Sequence, residues 1–342
     1  MKTKTLAIVL IASLAFAGCA KENVTDNKGI PMTLNVSIEN ATRTTYTPDG
    51  NALKVEWEPG DKISVLSFDA STAAGKALTN DIFTTETGGT TASFSGNYTG
   101  AENSPLIRVV YPALTTTGTI LGTTGWASEP GNGMYKEPIF VVSNTTDYQR
   151  FSFPYYSQLS DNDPAHLKYY DYMYGTVSSI NEVEDVKLVK NTAVIKAVIN
   201  TSAIETGEVM KTVGIKLNGT ISKIFNDQDW AHSSTRLYSA GNYGTNYIYL
   251  SLGNNSSGNG GSAYFDGITK TEGDNELVAF IPIMRISNTN DYILFPSGYD
   301  LTLSIGCGKD GVKMYSKTVT LTNDIQIEIG TCFTLTATVA AE

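Results

Sequence analysis

The chain of 342 residues carries 34 acidic and 24 basic side chains, a net charge of −10, charged residues at only 17% and aromatics at 10%. The acidic balance excludes a nucleic-acid binder, which needs a basic face, and argues against attraction to anionic lipid heads. Gly, Thr, Ser and Asn are abundant and no long amphipathic helix stands out, so the chain reads as all-β, of sandwich type.

Residues 1–18 read as a targeting segment. Lys2 and Lys4 give a positive start, and Leu6 to Phe16 form an apolar run too short to span a bilayer as a helix. Ala17 and Gly18 stand directly before Cys19, the lipobox arrangement of bacterial lipoproteins, with Phe16 where Leu is more usual. This predicts cleavage before Cys19 and acylation of its thiol and new amino group. The alternative is an ordinary signal peptide with an incidental cysteine. Acyl chains contribute about 0.8 kcal/mol per buried methylene, so several together anchor firmly. No other stretch reaches transmembrane length, which leaves the lipid as the expected membrane attachment. Residues 19–29 are polar apart from Val24 and read as a tether.

About 324 residues remain after processing, enough for two domains. The first is expected over residues 30–179. It opens with strict alternation: Met32, Leu34, Val36 and Ile38 are apolar, and Thr33, Asn35 and Ser37 between them are polar. That is a strand with one buried face. A polar run follows, Asn40-Ala41-Thr42-Arg43-Thr44-Thr45-Tyr46, then a turn at Thr47-Pro48-Asp49-Gly50. Alternation resumes at Leu53, Val55 and Trp57, and after Glu58-Pro59-Gly60-Asp61 at Ile63 and Val65. Expected strands are 32–39, 53–57, 62–68, 91–98, 105–111, 138–143, 148–156 and 171–178. Ala113 and Gly133 bracket a long loop rich in Thr and Gly that holds Trp126. Phe151, Phe153 and Tyr155 share one face, and Tyr169, Tyr170, Tyr172 and Tyr174 follow. Such rings serve either as core and cross-strand pairs or as a binding patch.

The second domain is expected over residues 180–342. Val194, Lys196 and Val198 alternate with Ile195, Ala197 and Ile199, so one face must pack around a lysine stem. Val213, Ile215 and Leu217 form a cleaner strand ending at Asn218-Gly219, a hairpin signal. Ile248, Leu250 and Leu252 form another. Residues 253–262 form a flexible loop. Leu277 to Ile283 is nearly continuous apolar sequence and predicts a strand covered on both faces. Leu301, Leu303 and Ile305 are expected to pair with a strand near 312–321. The last strand is expected over 331–339, with Phe333, Leu335, Ala337 and Val339 inward. Cys307 shares its face with inward Leu303 and Ile305, while Cys332 is the outward neighbour of Phe333. Opposite faces cannot meet disulfide geometry, which predicts two free thiols unless a bulge at Gly330 reverses the parity.

The sequence offers no catalytic constellation, and the chain is expected not to be an enzyme. His166 and His232 lie in unrelated polar segments, and no cysteine or histidine spacing suits a metal. Asp161-Asn162-Asp163 and Asp227-Gln228-Asp229 look like the openings of calcium loops, but neither continues with the required glycine and glutamate. No cofactor and no metal are expected.

One set of motifs carries a resemblance. Thr42-Arg43-Thr44-Thr45-Tyr46, then Val55-Glu56-Trp57, Gly60-Asp61 and Ile63-Ser64-Val65, is similar to the opening of fimbrillin-like proteins, the type V pilin family of Bacteroidota surface fimbriae. Asp171-Tyr172-Met173-Tyr174-Gly175, Ala193 through Ile199, and Ile329-Gly330 with Phe333-Thr334-Leu335 extend the likeness. The resemblance implies a surface-exposed lipoprotein of the outer membrane or fimbrium, built of two tandem β-sandwich (transthyretin-like) domains and acting in adhesion. It implies maturation by an arginine-specific protease between Arg43 and Thr44. The strand of Met32, Leu34, Val36 and Ile38 then leaves, and a neighbouring subunit's strand fills the groove. The implied partners are other fimbrial subunits through β-strand addition, the outer membrane through the lipid, and a host or bacterial surface receptor or glycan. In the stalk pilins that the chain resembles, the donated strand lies beyond the last strand of the second sandwich. Here Ala340-Ala341-Glu342 follow it and reach only about 10 Å. That leads to the expectation of a tip or accessory subunit or, failing cleavage, a membrane-proximal anchor. A second class, a surface glycan-binding lipoprotein, would use exposed rings such as Trp126, Tyr169, Tyr170 and Tyr243. A third, an exported hydrolase, would need an acidic cleft.

Overall fold

The computed structural model describes residues 29–38, 47–49, 52–54, 56–68, 77–100, 107–113, 115–116, 139–142, 148–152, 157–169, 173–177, 180, 183–190, 192–219, 225–226, 229–232, 236–237, 244–254, 265–284, 292–308 and 313–342. They are all-β, with one 3-10 turn at Ala165–Tyr169. The first half holds β1 (Ile30–Ile38), β2 (Thr47–Asp49), β3 (Ala52–Lys54), β4 (Lys62–Phe68), β5 (Ala77–Thr85), β6 (Thr91–Tyr98), β7 (Ile107–Tyr111), β8 (Thr115–Thr116), β9 (Ile139–Val142), β10 (Tyr148–Ser152), β11 (Met173–Val177) and β12 (Val183–Lys190).

Seven of these strands close into a barrel in the order β1-β12-β11-β7-β4-β5-β6. Period-two alternation sets the inside. Met32, Leu34, Val36 and Ile38 of β1 meet Ile63 and Val65 of β4, Phe83 of β5, Phe94 of β6 and Val186 and Leu188 of β12 in one core. Outward positions such as Ser93 and Ser95 are exposed. The first unit therefore departs from the expected open sandwich: its sheet closes on itself. Closure comes from β12, which pairs in parallel with β1 and antiparallel with β11. The boundary expected at 179 places residues 183–190 in the second domain. The structure puts them in the first sheet, and only Asn191 separates β12 from the next strand. Their pattern, Val186 and Leu188 alternating with Asp185 and Lys187, suits any half-buried strand and does not say which sheet receives it. Strand β5 is absent from the expected set because Thr79, Asn80 and Asp81 break its apolar pattern. Expected strand 53–57 is instead a short hairpin, β2 with β3, followed by a single bridge from Trp57 to Gly89.

The second half holds β13 (Thr192–Asn200), β14 (Val209–Asn218), β15 (Phe225–Asn226), β16 (Asp229–His232), β17 (Arg236–Leu237), β18 (Gly244–Thr245), β19 (Tyr247–Ser251), β20 (Ile268–Thr269), β21 (Glu276–Met284), β22 (Tyr292–Phe295), β23 (Asp300–Cys307), β24 (Lys313–Thr320), β25 (Ile325–Glu328), β26 (Cys332–Thr338) and β27 (Ala340–Ala341). Sheets β18-β15-β21-β13-β26 and β19-β14-β23-β24-β27 share one apolar core, with Ile195, Val213, Ile281 and Leu303 among its members. The expected pairing of 301–305 with the following strand is present, Leu301 opposite Val319 and Ile305 opposite Tyr315. Asn218-Gly219 ends β14 without opening a hairpin in its own sheet, since β14 pairs with β19, β20 and β23. Gly219 answers a different demand: a Cβ there would lie 2.3 Å from the ring of Tyr299.

Strand β21 is covered on both faces, as its continuous apolar run predicts. Leu277, Ala279, Ile281 and Ile283 face the core. Val278 and Phe280 face the other way and are buried with Val194 and with Leu167 from the segment that precedes β11. Lys196 lies on that face with its ammonium 5.9 Å from the ring centroid of Phe280, which is how the lysine stem is accommodated. The two halves are also joined where β10 pairs with β16.

Candidate functional site

The sequence nominates β1 as a removable strand, and its surroundings define the candidate site. On one side β1 pairs in parallel with β12, from Thr33 opposite Val183 to Ile38 opposite Leu188. On the other it pairs antiparallel with β6, from Ile30 opposite Tyr98 to Ser37 opposite Thr91. Both backbone edges of β1 are therefore engaged. Its inward side chains, Met32, Leu34, Val36 and Ile38, are at most 6% exposed.

Trp57 closes the site from below. It is 1% exposed, and its indole N–H donates to the carbonyl of Val36 at 3.2 Å. Phe94 and Tyr111 meet the indole edge-on, with centroids at 4.9 and 5.1 Å. The backbone of Trp57 is fixed in turn by Gly89, whose carbonyl accepts from Trp57 N at 2.8 Å and whose N–H donates back at 3.0 Å. A Cβ at neighbouring Gly88 would sit 2.7 Å from the Trp57 carbonyl, so this approach needs a residue without a side chain.

The outer face of β1 carries a polar ladder. Ser93 Oγ donates to Asn35 Oδ1 at 2.9 Å, and Asn35 Nδ2 donates to Asp185 Oδ1 at 3.1 Å, linking β6, β1 and β12. Thr33 and Ser95 hydroxyls lie 3.3 Å apart beside it. The sequence reading missed this ladder because it did not place β12 beside β1. The polar alternates Thr33, Asn35 and Ser37 were the available signal.

Burial of four side chains of this kind contributes about 6–12 kcal/mol, at about 1.5–3 kcal/mol each. A whole domain is stable by about 5–15 kcal/mol. Removing β1 from its place would therefore forfeit an energy comparable to the stability of a whole domain.

Several nominated residues fall outside the described ones: Cys19, Arg43, Thr44, Trp126, Tyr170 and Tyr243, and the side chains of Tyr169 and His232. Tyr174 is half-buried on β11, with the Arg108 guanidinium 6.0 Å from its ring centroid. Tyr247 and Tyr249 stack at 5.9 Å on β19, and Tyr249 is exposed. His166 is buried and bonded through Nε2 to the carbonyl of Phe280 at 2.7 Å, and burial lowers its pKa to about 4. Among the described residues no group of three or more His, Cys, Asp or Glu side chains could hold a metal ion. No helix among them is long and apolar enough to cross a membrane.

Cys307 and Cys332 are both free thiols. Cys307 belongs to the core, whereas Cys332 packs on the opposite face of its sheet beside Val194 and Phe280. Burial pushes the Cys307 thiol up to about 12 and the Cys332 thiol up to about 11. Neither is a ready nucleophile at neutral pH. A thiol reagent at pH 8 is expected to label both only after denaturation, as read by peptide mass mapping. A disulfide-linked pair of peptides would contradict the arrangement.

No family model matches the chain, and no curated protein matches it. Among solved structures the chain is similar, at low sequence identity, to proteins of Bacteroidota. One is a candidate cell adhesion protein from Bacteroides ovatus, with 14% identity, 92% of this chain and 95% of that chain covered, and a TM-score of 0.39. Another is a candidate cell adhesion protein from Bacteroides uniformis, with 12% identity, 93% and 97% covered, and a TM-score of 0.36. A third is the fimbrial anchor protein Mfa2 from Porphyromonas gingivalis, with 10% identity, 80% and 77% covered, and a TM-score of 0.32.

Proposed function

We propose that this protein is a surface fimbrial subunit or adhesin of tip or accessory type, brought to the outer membrane as a precursor acylated at Cys19, whose lipid leaves with the fragment removed on maturation. In this reading it takes a neighbour's strand into the β1 position after cleavage between Arg43 and Thr44. The observation that carries the reading is the setting of β1: an N-terminal strand, paired on both edges, with four buried side chains at period two. Its departure leaves a groove with two rows of unmet backbone groups, one on β12 and one on β6, which a strand of the same alternation satisfies. Ser93 on β6 and Asp185 on β12, which Asn35 bridges in the uncut chain, stay behind as polar partners for the incoming strand, and Trp57 supplies a fixed donor at the groove floor.

The described C-terminal strands support the accepting role. Strand β26 pairs in parallel with β13 along its whole length, and β27 crosses to pair with β24 in the other sheet. Val339 between them is buried. This segment ties the two sheets together, which supports an accepting rather than a donating role.

The test is the N-terminus of the protein recovered from the cell surface. The reading predicts a mature form that starts at Thr44. Limited trypsin treatment of the folded protein should cut at Arg43 before Arg150 or Arg236, which lie in β10 and β17. A surface form that keeps residues 30–38 joined to the rest, together with resistance at Arg43, would overturn it.

A further inference from the structure

Residues 157–167, which precede β11, lie along strands of the second half. They meet a part of β21 that no described strand pairs. One edge of β21 pairs with β13 throughout; on the other, β15 reaches only Met284. Side chains and one backbone N–H take the place of the missing strand. Gln158 Oε1 accepts from Phe280 N at 2.9 Å, and Gln158 Nε2 donates to the Val278 carbonyl at 2.6 Å. Asp161 Oδ1 accepts from Val278 N at 2.6 Å, and Asn162 N donates to the Val278 carbonyl at 3.0 Å. His166 Nε2 donates to the Phe280 carbonyl at 2.7 Å. Gln158 is fully buried, and His166 and Leu167 nearly so. The segment also reaches the other sheet: Gln158 N donates to the Ser251 carbonyl at 3.1 Å and Gly253 N to the Gln158 carbonyl at 2.8 Å.

We propose that residues 157–167 are a proton-gated strap, which caps the free edge of β21 while His166 is neutral and lifts from it when His166 is protonated. The proposal does not rest on the fimbrial reading. A free strand edge is a template for another strand, so covering it by side chains keeps it from adventitious pairing. Lifting the strap uncovers the backbone of Val278 and Phe280 together with their apolar side chains.

The groups around His166 decide the sign. Burial lowers the pKa from 6.5 to about 4, outweighing the hydrogen bond to the Phe280 carbonyl, the Asp163 carboxylate and a backbone bond to Asp163, all of which favour the charged ring. Strand β21 brings no titratable side chain between Leu277 and Ile283. From β13 comes the Lys196 ammonium over Phe280, and from β26 the Cys332 thiol, kept neutral by burial. The closed strap therefore excludes a proton that the lifted strap accepts. Its closure is fully favoured above pH 6.5 and weakens as pH falls toward about 4. The opening constant rises by up to about tenfold per pH unit within that window, roughly 100-fold between pH 7 and pH 4.

Hydrogen exchange reads this directly, because the amides of Val278 and Phe280 point at the strap while those of Ala279 and Ile281 point at β13. Between pH 7 and pH 4 the protection factors of Val278 and Phe280 are expected to fall roughly 100-fold, with Ala279 and Ile281 still protected. His166→Gln keeps a donor for the Phe280 carbonyl and cannot take a proton, so its two strap amides should stay protected at pH 4. Ala279 and Ile281 report whether that variant is folded, and His166→Asn gives a second non-titrating version. Unchanged protection in the native protein, or an equal fall in the folded variants, would overturn the proposal.

Discussion

Trp57→Ala is expected to lower the unfolding free energy by about 3–5 kcal/mol, the cost of removing a buried aromatic and leaving its cavity. The indole is 1% exposed, meets Phe94 and Tyr111 edge-on, and donates to the Val36 carbonyl of β1. Its loss removes a wall of the barrel core and a bond that retains β1 in particular. Trp57→Phe should recover most of the volume and forfeit the bond, at about 1 kcal/mol for the bond itself. Urea unfolding followed by circular dichroism separates the two. A loss below about 1 kcal/mol for the alanine variant would show that Trp57 does not close the groove floor.

Gln158→Ala should cost about 2–4 kcal/mol, because a buried backbone N–H left without a partner costs about 1–3 kcal/mol and the truncation adds a cavity. The Val278 carbonyl keeps the Asn162 N–H, but Phe280 N has Gln158 Oε1 as its acceptor. Gln158→Glu preserves that acceptor and removes the donor to the Val278 carbonyl, so it should be damaging as well. Thermal unfolding gives the total, and exchange at the Phe280 amide shows whether the damage is confined to the strap. A variant within about 0.5 kcal/mol of the native protein would mean that water replaces the glutamine at no cost.

Alternation made the strands legible where one face is apolar and the other polar. Met32 to Ile38 is the clearest case, and Val213 to Leu217 and Leu301 to Ile305 behave alike. The continuous run 277–283 was legible as a doubly covered strand, but what covers its outer face was not. The cover is a strap whose anchoring groups, Gln158, Asp161 and His166, are polar, and nothing in their spacing says that they act on a backbone edge. Strand β5 escaped because its inward residues are few, and β12 because amphipathic alternation fixes a face and not a neighbour. That neighbour decides whether the first sheet stays open or closes, so barrel closure was beyond reach. Pairing of β1 with β12 also creates the Asn35–Asp185 contact across residues 150 apart in sequence. Burial of Cys307 and the opposite facing of Cys332 followed from parity alone, since Gly330 brings no reversal.

The most direct test of the account is strand capture by the cleaved protein. The protein cut after Arg43 is mixed with a fluorescent peptide of residues 30–38 under mild conditions, and retention of the label through gel filtration is measured. A matched peptide carrying Leu34→Asp and Val36→Asp places charge in the core and serves as the control. The account predicts stable retention of the native peptide, displacement of the original strand in equal amount, and no retention of the control. Failure to release residues 30–38 after cleavage, or equal retention of both peptides, would contradict the claim that β1 marks a strand-exchange site.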